Sequence, residues 1–227
     1  MASDGSGTEA RWRRCKLHRE RRRISLKMTH SLSPQEIALP DGDLVLYEKI
    51  ELAPALMDTL VTQTDWVQEQ ITLFGRTMPQ PRLIAYHGDS GAAYTYSRKC
   101  YVPKPWTTCL TQLRETVQTL SGASFNSVLL NYYRDGNDSM GLHADDEPEL
   151  GNNPIIASLS LGEERKIFFQ HKNRRDLRNL SLALPDTSLL IMKGATQHHW
   201  KHGVRKVRGP CGPRLNLTFR FIHFPAQ

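Results

Sequence analysis

At 227 residues and a net charge of +7, the chain is long enough for one well-buried domain with a short extra lobe, and too short for two full-sized ones. No run of eighteen apolar residues occurs, and the first residues carry charge where a signal peptide needs its apolar stretch, which argues against a spanning helix and against secretion. Cys15, Cys100, Cys109 and Cys211 are scattered without a C-x-x-C pair, so reduced thiols in a cytoplasmic (nucleoid-associated) or nuclear protein are expected.

Residues 1–27 hold nine Lys/Arg against three acids, so +6 of the charge sits there and about +1 in the rest. Residues 1–30 lack apolar periodicity and include RWRRCKLHRERRR, which reads as a disordered basic tail. A nucleic-acid tether or localisation signal is one reading of it. A solvated extension and a true start at Met28 are the plainer ones. Residues 31–227 form the expected domain, with helices and a lid in 31–124 and a β core in 125–227.

From Ala55 to Phe74, after Pro54, the residues Leu56, Leu60, Val61, Val67, Ile71 and Phe74 recur mostly every three or four positions, which predicts an amphipathic helix. A second helix is predicted from Trp106 to Leu120, with Pro105 before it, Gly122 after it, and Cys109, Leu110, Leu113, Val117 and Leu120 as its buried stripe. After Gly122 come short β-rich runs, SVLLNYY, IIASLSL, KIFFQ, LSLAL, TSLLIM and RLNLTFRFI. Strands without intervening helices predict an antiparallel sandwich or jelly roll. In the last run Leu215, Leu217, Phe219 and Phe221 alternate with Arg214, Asn216, Thr218 and Arg220, so one face is strongly polar. Residues 131–164 are acid-rich, whereas Arg165 to Arg220 carry thirteen basic residues and two acids, which allows a basic face.

His143 and Asp145 lie one residue apart, so an extended backbone turns both side chains the same way. A third ligand is available in QHHWKH, where His198, His199 and His202 compete. Two histidines and one carboxylate make the facial triad of non-haem iron(II), with open positions for a chelating cosubstrate and oxygen. An isolated H-x-D triplet is common by chance. Its weight here comes from the order of features: H-x-D after a strand, a distal His, then an arginine-bearing strand.

In this order of features the chain resembles the AlkB family of oxidative demethylases, nearest its DNA-repair branch. The matching segments are NYYRDGNDSMGLHADDE, ASLSLGEERKIFF, HWKHGV and PRLNLTFR, with LFGRTMPQPR and GDSGAAYTYS ahead of them. The likeness covers roughly residues 40–223, and R-x-N-x-T-x-R is its most specific part. It implies an α+β, mainly β, double-stranded β-helix (jelly roll) with N-terminal helices and a nucleotide-recognition lid. It implies Fe(II) held by His143, Asp145 and His202, with His198 and His199 structural or facing substrate. It implies 2-oxoglutarate held by Arg214 at the distal carboxylate and Arg220 nearer the chelating end, with hydrogen bonds from Asn131 and Tyr133 and with Asn216 and Thr218 on the same strand face. A guanidinium suits a carboxylate because it donates two parallel hydrogen bonds.

The reaction so implied consumes O2 and 2-oxoglutarate and hydroxylates an N-methyl group, which then leaves as formaldehyde. The expected substrates are bases of the 1-methyladenine and 3-methylcytosine type in DNA, with RNA as a second polymer, and the expected state is a monomer without a membrane partner. A base inside a duplex cannot reach such a site, so it must be flipped out or single-stranded. The likeness makes Tyr96 the stacking face, with Tyr94 its neighbour, Glu147 the acceptor for an exocyclic amino group, and Arg165 a pocket arginine. Packed sheet tyrosines and a solvated loop acid are the plainer readings. A hairpin over 74–82 would offer Phe74, Met78 or Arg82 to fill the gap in the duplex. The alternatives are an oxygenase of this fold acting on protein or lipid, and a catalytically silent nucleic-acid-binding module. The complete triad and both arginines weigh against the silent one.

Overall fold

The computed structural model describes residues 33–73, 75–96 and 99–223, with side chains of all of these except 73, 94–96 and 99. The expectations for the basic tail therefore lie outside the described residues, as do those for Phe74 and the side chains of Tyr94 and Tyr96.

In chain order the elements are β1 (Gln35–Leu39), β2 (Gly42–Tyr47), α1 (Leu56–Gln63), β3 (Gln70–Leu73), β4 (Arg76–Pro79), β5 (Leu83–Gly88), β6 (Tyr94–Tyr96) and β7 (Lys99–Tyr101). There follow α2 (Thr108–Ser121), β8 (Ser127–Tyr133), β9 (Met140–His143), β10 (Ile156–Gly162), β11 (Arg165–His171), β12 (Leu180–Leu184) and β13 (Leu189–Lys193). The last are α3 (Thr196–His199), β14 (Trp200–Val204) and β15 (Arg214–Arg220). Seven strands form one antiparallel sheet in the order β1-β2-β13-β10-β15-β8-β5, and four form a second in the order β12-β11-β14-β9. This is the mainly β, jelly-roll architecture expected, and β3-β4 and β6-β7 are separate hairpins.

The two faces of the large sheet are both covered. On the outer face Leu215, Leu217 and Phe219 of β15 and Val128 and Leu130 of β8 pack with Leu60 of α1 and Leu110, Leu113 and Val117 of α2. Burying each of these large apolar side chains is worth about 1.5–3 kcal/mol, so α2 is held by its stripe. Its start is fixed by Thr107, whose side chain accepts from Leu110 N at 3.2 Å. Its end is fixed by Gly122, which takes the left-handed conformation at φ 67°. On the inner face, Leu44, Ile156, Leu190 and Met192 meet Ile167, Phe169 and Trp200 of the small sheet. Every residue of β15 is buried, so its polar alternate residues face the interior between the sheets and not solvent.

Two expectations are corrected. The helix predicted from Ala55 to Phe74 stops at Gln63: Thr64 is extended at φ −93° and ψ 131°, and Trp66 Nε1 donates to Val61 O at 2.9 Å across the helix end. Val67 then bridges Ile84, and β3 pairs with β4 from Gln70↔Pro79 to Leu73↔Arg76. The β-branched residues Val67, Ile71 and Thr72 suit this pairing, which overrides the three-to-four periodicity. Nor does the sheet begin after residue 124, because β1, β2 and β5 belong to the large sheet. Their apolar runs LVLY and LIAY are buried on both sides, so they lack the alternation that marks a half-buried strand.

Candidate active site

β14 pairs with β9 so that His202 lies directly opposite His143, which brings the two rings to a centroid distance of 4.4 Å. Asp145, two residues beyond the end of β9, completes the group. Its carboxylate oxygens lie 3.9 Å from His143 Nε2 and 3.9 Å from His202 Nε2. Among the described residues this is the only cluster of three or more such side chains whose ligand atoms converge, all within 4.8 Å of one another. His143 Nδ1 faces Gly141 O at 3.0 Å and, since a carbonyl only accepts, carries the proton; Nε2 is left to ligate.

The protonation states suit a metal. Burial holds both imidazoles below their ordinary pKa, His202 down to about 3, so both are neutral. Burial alone would raise Asp145, but Arg220, His202 and His143 together outweigh it and hold the carboxyl down at about 2; Arg220 Nη2 donates to Asp145 Oδ1 at 2.8 Å. Asp145 Oδ2 is buried and has no hydrogen-bond partner. A buried ionised oxygen left so is costly unless a cation is to take it. Two neutral imidazoles and one carboxylate on one side of a cavity fit Fe(II).

That cavity runs between the sheets. His143 and His202 line it together with Asn131, Tyr133, Arg214, Asn216, Thr218 and Arg220. Arg214 is buried, with Nη2 on Ser160 Oγ at 2.9 Å and its guanidinium over the Tyr133 ring at 5.2 Å. Its Nε and Nη1 have no hydrogen-bond partner. A buried guanidinium with unused donors is suited to a carboxylate, as the distal end of 2-oxoglutarate would provide. Asn131 Oδ1 accepts from Arg82 Nε at 2.9 Å, which leaves its amide nitrogen as a donor. Asn216 spends its nitrogen on Ser158 Oγ and Leu159 O, and its oxygen on Thr218 Oγ1 at 3.1 Å. These two side chains brace the polar face of β15 from within.

The residues assigned to the base are placed unevenly. Glu147 is half-buried near Asp145, with Oε2 buried and unpartnered; burial, then Asp145, pushes its carboxyl up to about 7. Arg165 is buried and donates to Asp135 O, Asp138 O and Arg205 O at 3.3, 3.0 and 2.6 Å. It ties the loop before β9 to the loop after β14. Arg82 is likewise no wedge, being buried and bonded to Asn131, whereas Met78 on the β3-β4 hairpin is 39% exposed. His198 is exposed and accepts from Asn153 N at 3.4 Å, and His199 stacks on His171 at 5.8 Å, so neither joins the triad.

Ser158, Ser160 and Gln197 were not singled out by the sequence, and Arg82 was singled out only for the hairpin. The serines had a signal: in ASLSL they alternate with apolar residues, as Arg214 and Asn216 do on β15 across the ladder. Gln197 had none beyond its place beside the histidine cluster.

Residues 46–220 match the family model described as the 2OG-Fe(II) oxygenase superfamily. The chain is 40% identical over 159 residues to the Mus musculus protein named DNA oxidative demethylase ALKBH2, covering 67% of this chain and 66% of that one. It is 37% identical over 204 residues to the Mus musculus alpha-ketoglutarate-dependent dioxygenase alkB homolog 3, covering 85% and 69%. Against the Arabidopsis thaliana DNA oxidative demethylase ALKBH2 the identity is 32%, covering 96% and 81%. The chain thus spans just under two thirds of the mouse ALKBH2 it matches. The solved structure of OsALKBH1 shares the fold, with a TM-score of 0.58 at 18% identity over 82% of this chain and 100% of that one.

Proposed function

Because the chain belongs to the AlkB family of the 2OG-Fe(II) oxygenase superfamily, we propose that it oxidatively demethylates N-alkylated bases of the 1-methyladenine and 3-methylcytosine type in DNA, with RNA as a second substrate. The observation that carries the reading is the convergence of His143, Asp145 and His202 at a cavity that His143 and His202 line together with buried Arg214. Two relatives are named as DNA oxidative demethylases, which favours DNA over a protein or lipid substrate.

When bound, iron(II) and 2-oxoglutarate supply the oxidising power that places oxygen on the substrate methyl. The protein's own residues do the rest. His143, Asp145 and His202 would hold the ion. Arg214 would pair with the distal carboxylate, and Arg220 helps keep Asp145 ionised. Glu147 offers a carboxyl oxygen to an exocyclic amino group, the edge feature adenine and cytosine share. Tyr96 supplies the stacking face. The target base is flipped or single-stranded when it enters.

The test is a panel of methylated single- and double-stranded DNA and RNA oligonucleotides with iron, 2-oxoglutarate and oxygen, scored by formaldehyde. Release from methylated DNA is the expected result. Succinate formation with no formaldehyde from any oligonucleotide would move the substrate to protein or lipid, and no turnover at all would leave a binding module. The protein is expected to act as a monomer, in a cytoplasmic or nuclear setting. No described helix is long and apolar enough to cross a membrane.

A further inference from the structure

His143 and His202 are fixed by the sheet itself, because β9 and β14 pair at these two positions. Asp145 lies past the end of β9 and has no ladder partner. Its backbone is caught instead by a buried side chain from α3: Gln197, 1% exposed, accepts from Asp145 N with Oε1 at 2.9 Å. Gln197 is itself held at both ends. Its Nε2 donates to Met192 Sδ at 3.5 Å, and its main-chain carbonyl oxygen accepts from Lys172 Nζ at 2.9 Å. The same ammonium donates to Asp146 Oδ2 at 2.7 Å, and Lys172 N donates to His199 O at 2.7 Å. α3 is anchored in turn by Thr196, whose Oγ1 donates to Lys193 O at 2.6 Å and accepts from Asp43 N at 2.8 Å.

We propose that Gln197 is a positioning residue for the metal ligand Asp145, clamping its backbone from α3, with Lys172 as the outer half of the clamp. This rests on the reading of His143, Asp145 and His202 as the ligand set. Residues that hold a ligand from behind typically set metal affinity by about 10–100-fold, and an amide oxygen on a backbone N–H is suited to that task because it fixes position without adding charge. α3 also runs directly into β14, so one short segment places Asp145 through Gln197 and His202 through the chain.

The experiment titrates Co(II) into the full-length protein without cosubstrate and follows the visible spectrum, with a urea midpoint for each variant. Gln197→Met keeps the volume and removes the acceptor. Gln197→Met should weaken Co(II) about 10–100-fold and alter its visible bands. In an Asp145→Ala background, Gln197→Met should change Co(II) binding no further. Equal titrations for wild type and Gln197→Met would overturn the proposal, and so would a further loss on adding Gln197→Met to Asp145→Ala. Should Gln197→Met fail to fold, the half-exposed side of the clamp carries the test: Lys172→Met should also weaken Co(II), and an unchanged affinity overturns the proposal. A wild-type protein that takes up no Co(II) at all would instead sink the ligand set, a distinct result.

Discussion

The metal site and its surroundings are supported from two sides, a sheet wall and a loop wall, built on different principles. One is the large sheet, where Arg214, Asn216, Thr218 and Arg220 on β15 face Ser158 and Ser160 on β10 across a regular ladder from Ala157↔Phe219 to Gly162↔Arg214. The other is the loop from Ala144 to Asn153, where Asp145 and Glu147 sit outside any strand and Asp145 is placed by side chains, Gln197 on its backbone and Arg220 on its carboxylate. A strand fixes side-chain direction through its period of two and the pairing of its backbone. A loop must be fixed contact by contact, so each contact carries more of the position. The sheet wall should tolerate loss of a polar side chain without moving its neighbours, while the loop wall should shift when one anchor is cut.

The largest effects are expected where the two walls meet. His143→Ala, Asp145→Ala and His202→Ala should each bring turnover to background and weaken Co(II) binding, because the facial set needs all its ligands. His198→Ala should keep activity, since this exposed side chain only accepts from Asn153 N. Steady-state assays with metal titration check the series, and full activity of His202→Ala would remove it from the ligand set. Next comes Arg214→Lys. A lysine offers a point charge in place of a forked donor, and a charged hydrogen bond is worth about 1.5–3 kcal/mol. The apparent KM for 2-oxoglutarate should rise about tenfold to a hundredfold, and an unchanged KM would take Arg214 out of the cosubstrate site.

The same division explains what was readable in the sequence. Alternation in RLNLTFR announced a polar face, because a strand's period survives whatever packs against it, and the structure buries that face whole. The stripe of α2 was readable for the same reason, and three of its five positions, Leu110, Leu113 and Val117, are fully buried. Between Thr64 and Pro79 local periodicity misled, since pairing with β5 and within the β3-β4 hairpin decides the structure there. The contacts of Arg165 were not readable because a pattern gives a residue's address and not its partners. Its Nη1 and Nη2 donate to three loop carbonyls that no spacing rule links to it. Gln197 escaped because a contact over fifty-two residues between a glutamine and a backbone N–H leaves no local trace.

On the loop wall, Glu147→Ala should lower demethylation and blur discrimination among bases, by the about 1–3 kcal/mol that a well-placed contact to a base edge gives. Consumption of 2-oxoglutarate without substrate should persist, since Glu147 touches neither the ligands nor Arg214 in the bonds described. Parallel assays of succinate and formaldehyde separate the two activities. A parallel fall in both would make Glu147 a support of the metal centre, and the walls would then be less distinct than the geometry implies.

The smallest effect is expected from Ser160→Ala, a cut on the sheet wall. Ser160 Oγ is the acceptor for Arg214 Nη2 at 2.9 Å, and both residues are buried. The ladder pairs Ser160 with Asn216 through the backbone, so losing the hydroxyl should leave β10 and β15 in register. A single hydrogen bond of this kind contributes about 0.5–1.5 kcal/mol, which predicts a two- to tenfold rise in KM for 2-oxoglutarate with the oligonucleotide KM and the Co(II) affinity unchanged. Gln197→Met, a cut of comparable chemical size on the loop wall, should instead weaken the metal. Measuring both variants for both quantities gives the cleanest test of the contrast. If Ser160→Ala disturbed Co(II) binding as much as Gln197→Met, position on this sheet would depend on single contacts just as it does in the loop, and the distinction between the walls would fail.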